Sequence, residues 1–274
     1  MNTRIWAITG ILLCAALGGC ATKSPEKAAG DTAPDQQALT DHIVQIQKQL
    51  EQSPENGRLY FELGNAFFDQ GRFVEAFEAY QKCLTHEPRL AEAYTNLGLT
   101  LRRLGRDSAA MGAYEFALEI KPDDVLTLEN MKVLAEATGD LPRFQRAVER
   151  LAALKPRDVL LQGQLADTYF QRGQFEEAIP VYEKLLLIEP NEILNLYRLG
   201  MCHYSVGRFE QAGLVWRQAL RQDPGHAETL KALAVVLWEV KNYDAAWAAV
   251  QDCEAHGVRL PQEFLDTLKN DSGR

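Results

Sequence analysis

The 274-residue sequence has no long apolar run at its start: the stretch from Ile5 to Leu17 holds 13 residues, and crossing a bilayer takes roughly 20. Cations are in the minority, with 29 Lys and Arg against 38 Asp and Glu and a formal net charge of −9. An acidic chain argues against nucleic acid or an anionic lipid surface as its main partner. Histidine is scarce: His42, His86, His203, His226 and His256 are scattered, and none has a second His or Cys at ligand spacing, so no metal site is expected. Cysteine is scarce too, with five in all. No phosphate-cradling glycine loop, paired carboxylates or nucleophile arrangement stands out, so neither a cofactor nor an enzymatic activity is expected.

What is present begins with features of export. Arg4 precedes the short apolar stretch and small residues close it, the pattern of a secretory signal peptide rather than of a permanent helix. Its end, Leu17-Gly18-Gly19-Cys20, resembles the lipobox of bacterial lipoproteins. In that family cleavage precedes the cysteine, the sulfur takes a diacylglycerol, and the new amino group usually gains a third acyl chain such as palmitate. The resemblance implies residues 1–19 as signal peptide and Cys20 as the lipidation site. Several chains anchor stably where one is marginal, because each buried methylene contributes roughly 0.8 kcal/mol. Cys14 lacks the small neighbours and would leave with the peptide. Residue 21 is Ala, not the Asp that retains enterobacterial lipoproteins at the inner membrane, so the resemblance points to the periplasmic face of the outer membrane. Residues 20–38 are polar and small, too poor in apolar surface to fold. As a tether they would span roughly 25 Å.

The rest is periodic. Pro88, Pro122, Pro156, Pro190 and Pro224 fall 34 residues apart, and aligning on them gives copies such as "GRLYFELGNAFFDQGRFVEAFEAYQKCLTHEP" and "VLLQGQLADTYFQRGQFEEAIPVYEKLLLIEP". Each copy holds two stretches with apolar residues at helical spacing around a polar turn, which is a helix hairpin. Period and residue types together resemble the tetratricopeptide repeat, TPR. The resemblance implies an all-α, right-handed superhelical solenoid of about six hairpins, at 57–90, 91–124, 125–158, 159–192, 193–226 and 227–258. No hairpin buries its own apolar face, so neighbours must stack and the ends need caps. Residues 39–56 and 259–274 are the expected capping helices.

Within a copy, glycine ends the first helix at Gly71, Gly105, Gly139, Gly173 and Gly207, while copy six has Lys241 there and should turn differently. Small residues recur at the eighth position (Gly64, Gly98, Ala166, Gly200, Ala234) and the twentieth (Ala76, Ala110, Ala178, Ala212, Ala246), and are expected to face each other. Tyr80, Tyr114, Tyr182 and Trp216 are expected to fill space between hairpins. Copy three breaks the pattern with Lys132 and Phe144, which should spread its hairpin. Cys83 and Cys253 hold the same position five repeats apart, far beyond the roughly 4.4 to 6.8 Å of a disulfide. His203 stands where other copies carry Phe67, Leu101 and Tyr169, the mark of a core residue.

In TPR proteins the first helices line a concave groove for protein or peptide partners. The resemblance places Phe61, Asn65, Phe68, Leu99, Arg102, Val133, Phe170, Tyr197, Met201, Tyr204, Val235 and Trp238 there. Asn65 and Asn96 match the asparagines of the variety that clamps a partner's C-terminal carboxylate, but Phe61, Leu126 and Asn130 replace its cations, so this clamp lacks its charge partner and chaperone-tail binding is not expected. Phe170, Tyr204 and Trp238 form an aromatic stripe suited to anchoring a partner, or to being covered by neighbouring helices. The expectation is a lipid-anchored, non-enzymatic scaffold, similar to the TPR lipoproteins of pilus and secretin assembly. An adaptor for peptidoglycan hydrolases or proteases is the alternative, and a glycan- or lipid-handling protein the least favoured.

Overall fold

The structure is a computed structural model that describes residues 36–274; the expected signal peptide, Cys20 and nearly all of the tether lie outside the described residues. Among the described residues every regular element is a helix. The order is α1 (Gln36–Gln52), α2 (Gly57–Asp69), α3 (Phe73–His86), α4 (Ala91–Arg103), α5 (Asp107–Ile120), α6 (Val125–Thr138), α7 (Leu141–Leu154) and α8 (Val159–Gln171). There follow α9 (Phe175–Ile188), α10 (Ile193–Ser205), α11 (Phe209–Gln222), α12 (Ala227–Glu239), α13 (Tyr243–Ala255) and α14 (Gln262–Ser272). Six hairpins lie between two single helices, which is the TPR solenoid fold. The described residues form two compact units, 36–161 and 162–274, with the division inside α8. Among the described residues no helix is long and apolar enough to cross a membrane.

Local chemistry starts and stops these helices. The Asn56 carboxamide accepts hydrogen bonds from the backbone amides of Arg58 and Leu59 at 3.0 and 3.3 Å, capping α2. Asp124 and Asp140 cap α6 and α7 in the same way, at 2.9 and 3.1 Å. At the hairpin turns the five recurrent glycines hold φ between 70 and 76°. Lys241 does not turn differently: it takes the same left-handed conformation at φ 59°. The hydrogen bonds of the turn explain why, since Lys241 donates to the Trp238 carbonyl and Asn242 to the Leu237 carbonyl, as Gly207 and Arg208 do one copy earlier. Ladder geometry overrides the side chain, at a cost a glycine would avoid.

In each unit the core forms where the hairpins pack. In the first unit Ile43 and Ile46 of α1 join Leu63, Phe67, Ala76 and Tyr80, so α1 covers the open face of copy one. In the second, Phe264 and Leu268 of α14 do the same for copy six, packing with Leu233, Val236 and Val250. Within a hairpin, the eighth-position glycine faces a ring rather than the twentieth-position alanine. A Cβ on Gly64 would lie 2.5 Å from the Tyr80 ring, and one on Gly200 would lie 2.6 Å from Cδ1 of the Trp216 indole. Tyr114 covers Gly98 likewise. The rings expected between hairpins therefore sit first of all inside their own.

Copy three changes both partners. Where the ring belongs it has the fully buried Val148, and where the glycine belongs it has Lys132, whose ammonium pairs with Glu129 at 3.1 Å. Phe144 packs against the core cluster that contains Tyr114, Met131 and Leu134. Cys83, Cys202 and Cys253 are buried and unbridged, and burial pushes their thiols up, to about 11 for Cys83 and Cys253 and about 12 for Cys202.

Replacing Lys241 by Gly should raise the stability of the folded chain by about 0.5–1 kcal/mol, the strain relieved less the entropy added to the unfolded state. Urea denaturation measures it, and a loss of stability would contradict the strained-turn account.

Candidate functional site

Asn65 of α2 is the hub of a polar cluster in the first unit. Its Oδ1 accepts from the Tyr80 hydroxyl at 2.7 Å and from the Asn96 carboxamide at 2.8 Å. One acceptor thus joins the second helix of its own hairpin to the first helix of the next. Burial pushes the Tyr80 hydroxyl far above its ordinary range, so it stays protonated and donates. Asn65 Nδ2 and Asn96 Oδ1 make no hydrogen bond among the described residues. These two residues line a cavity of about 340 Å³ with Phe68, Asp69, Tyr80 and Leu99. A carboxamide nitrogen and oxygen side by side match the carbonyl and N–H of an extended peptide, with apolar walls for side chains.

Phe68 contacts Phe73 edge-on at 5.3 Å, and the Arg103 guanidinium lies over both rings at 6.0 and 5.7 Å. Phe61 is half-buried and its ring lies 6.0 Å from that of Tyr80. Arg102 is half-buried, Val133 is exposed, and neither Arg102 nor Arg103 makes an ion pair with a described residue. The first unit therefore presents polar and cationic groups beside apolar ones.

The second unit repeats the hub in charged form. Asp167 holds the position of Asn65, Tyr182 that of Tyr80 and Arg198 that of Asn96. Asp167 Oδ1 accepts from the Tyr182 hydroxyl at 2.9 Å and from the Arg198 guanidinium. Burial works against the Arg198 charge, but the attraction of Asp167 outweighs it and holds the guanidinium protonated. Sequence reasoning missed this cluster. Its signal was a polar residue at the ninth position of a copy with a tyrosine 15 residues later and a donor 31 residues later.

Four residues expected in an open groove are corrected by the structure: Tyr197, Met201, Tyr204 and Val235 are 4, 4, 9 and 6% exposed. Tyr204 packs its ring on Phe209 and Trp216 and donates to Glu239 of the next hairpin at 3.3 Å. Trp238 is half-buried, edge-on to Phe264, with Nε1 donating to Asp271 of α14 at 2.9 Å. Phe170 is half-buried against Phe175 and Tyr182, with Arg198 6.0 Å above its ring. These aromatics join elements to one another. His203 is buried as expected, its imidazole pKa is lowered by burial, and its Nδ1 has no partner. Among the described residues no group of three His, Cys, Asp or Glu is placed to hold a metal.

Comparison with known proteins fits this arrangement. TPR family profiles match residues 64–105, 91–124 and 134–192, and the profile of "Anaphase-promoting complex, cyclosome, subunit 3" matches 171–253. The repeats are tetratricopeptide repeats, and such repeats imply a protein–protein interaction scaffold. No curated protein matches the chain. Among solved structures, that of Naa15/Naa10 bound to HypK-THB is similar over 87% of this chain at 15% identity and a TM-score of 0.64; this covers 39% of that chain. MamA AMB-1 matches at 22% identity over 64% of this chain and 96% of its own, TM-score 0.48. A tetratricopeptide repeat protein from Parabacteroides merdae matches at 15% over 88% and 94%, TM-score 0.46.

Asp167→Asn should lower stability by about 1–2 kcal/mol, because it removes a charged acceptor from two donors. Adding Arg198→Asn recreates the neutral hub of the first unit and should recover at least half of that loss in urea denaturation. Strict additivity of the two losses would show that the hub does not act as a unit.

Proposed function

We propose that this protein is a lipid-anchored scaffold of the bacterial periplasm whose first TPR unit binds an extended segment of a partner protein. The observation that carries the binding site is the cavity at Asn65 and Asn96, where a free carboxamide nitrogen and oxygen stand beside Phe68 and Leu99. The aromatics of the second unit are spent on its own internal packing. The anchor rests on the resemblance of Leu17-Gly18-Gly19-Cys20 to a lipobox, with Ala21 favouring the outer membrane. An anchor combined with TPR repeats supports a role in building an envelope complex, as TPR lipoproteins do in pilus and secretin assembly.

Crosslinked pull-down from the native membrane tests the site. Asn65→Ala with Asn96→Ala should remove the captured partner while the protein stays folded, with a thermal transition lowered by the loss of the Tyr80 acceptor, and an unchanged set of captured proteins would contradict the proposal. Labelling with radioactive palmitate tests the anchor: wild type should incorporate label and Cys20→Ala should not, whereas equal labelling would sink it.

A further inference from the structure

The hub seen at Asn65 and Asp167 has a third register, and there its centre is missing. Between copies two and three the equivalent positions hold Leu99 as the hub, Tyr114 as the first donor and Asn130 as the second. Tyr114 occupies the same place in its hairpin as Tyr80, with its ring on Gly98 as that of Tyr80 is on Gly64. Leucine supplies no acceptor, and both donors show the consequence: Tyr114 Oη and Asn130 Nδ2 are buried with no hydrogen-bond partner. Tyr114 is 0% exposed. The repeat register places these two donors where Tyr80 and Asn96 meet one copy earlier, and orphaned donors are costly, at about 1–3 kcal/mol each. Where the hub is abandoned further along, the donors go as well: Met201 is accompanied by Trp216 and Ala232, and the indole nitrogen donates to the Tyr197 carbonyl at 3.1 Å. Copy two alone among these has lost the acceptor and kept the donors.

A positive charge stands over the same spot. Burial pushes the Tyr114 hydroxyl up to about 12, and the nearby Arg102 guanidinium opposes that rise; being a donor only, it leaves the phenol O–H without an acceptor. Arg102 has no ion pair with any described residue, and Glu129 on α6 is already held by Lys132 and Lys155, both at 3.1 Å. Leu99, the side chain standing where the acceptor belongs, is only half-buried and forms part of the wall of the Asn65–Asn96 cavity.

We propose that Tyr114 Oη, Asn130 Nδ2 and the Arg102 guanidinium form a subsite for a carboxylate of the bound partner segment, entered from the neighbouring cavity when Leu99 turns aside. This rests on the reading that the first unit binds a peptide. The partner carboxylate plays the part that Asp167 plays between Tyr182 and Arg198, with two neutral donors and one cation around one anionic oxygen pair.

The test uses three acetylated hexapeptides of alternating Ala and Leu: one with a central Glu and an amidated end, one with Gln and an amidated end, and one with Gln and a free carboxyl end. Titration into the full chain is followed by NMR on the side-chain amide of Asn130. One of the two carboxylate peptides should bind about tenfold tighter than the neutral one and move the Asn130 signal; which of them does so tells a side-chain carboxylate from a chain end. In Leu99→Asn, which supplies an internal acceptor, that preference should vanish while the melting temperature rises by about 2–4 °C. Equal affinity of all three for wild type, weakened by Asn65→Ala with Asn96→Ala, would overturn the subsite and leave the groove standing. The same equality with a raised melting temperature in Leu99→Asn would mean that the orphaned donors satisfy a bridging water only, which also overturns it. If no peptide bound wild type, the groove reading would fail and the subsite with it.

Discussion

The contact on which the rest depends is a ring lying on a glycine. In copies one, two and five the aromatic side chain of the second helix rests where a Cβ of the first helix would otherwise be. That contact brings the two helices of a hairpin together and puts the outer edge of the ring at the boundary with the next copy. A tyrosine hydroxyl placed there is buried, and it must find a partner. It finds one in the ninth-position residue of its own hairpin, which is also in reach of a donor from the following one. Packing inside one copy thereby sets the polar contact between copies.

Seen this way, the differences among copies have a common cause. Asn65 makes a neutral hub whose second carboxamide group is left for a ligand, and Asp167 makes a charged hub that is closed upon Arg198. Met201 with Trp216 and Ala232 makes a dry contact. Leu99 makes a faulty one, with its two donors unsatisfied. The first unit is therefore open to a partner in chemistry that the second unit has turned inward.

Much of this was legible in the sequence and some was not, for physical reasons. The all-helical fold was legible because one hairpin pattern recurs six times, so chance matches at single positions average out. At the two ends Ile43, Ile46, Phe264 and Leu268 show the apolar faces that the end of a stack requires. At the twelfth position the sequence left anchoring and burial open: Tyr204 is buried and bonded to the next hairpin, and Trp238 is half-buried and bonded to α14. The hubs were hidden because their members lie 15 and 31 residues apart and occur in some copies only. At Lys241 the side chain suggested a different turn, but the backbone ladder around it decided the conformation.

The ring-on-glycine contact is tested most directly in copy five. Gly200→Ala should cost about 1–3 kcal/mol in urea denaturation, because the new methyl group meets a fully buried indole with nowhere to move. Adding Trp216→Tyr reproduces the Ala166 and Tyr182 pair that copy four already accommodates, and the account predicts that the double variant is more stable than Gly200→Ala alone. If the second substitution simply adds its own loss to the first, the ring and the glycine are not matched to each other, and the account is contradicted.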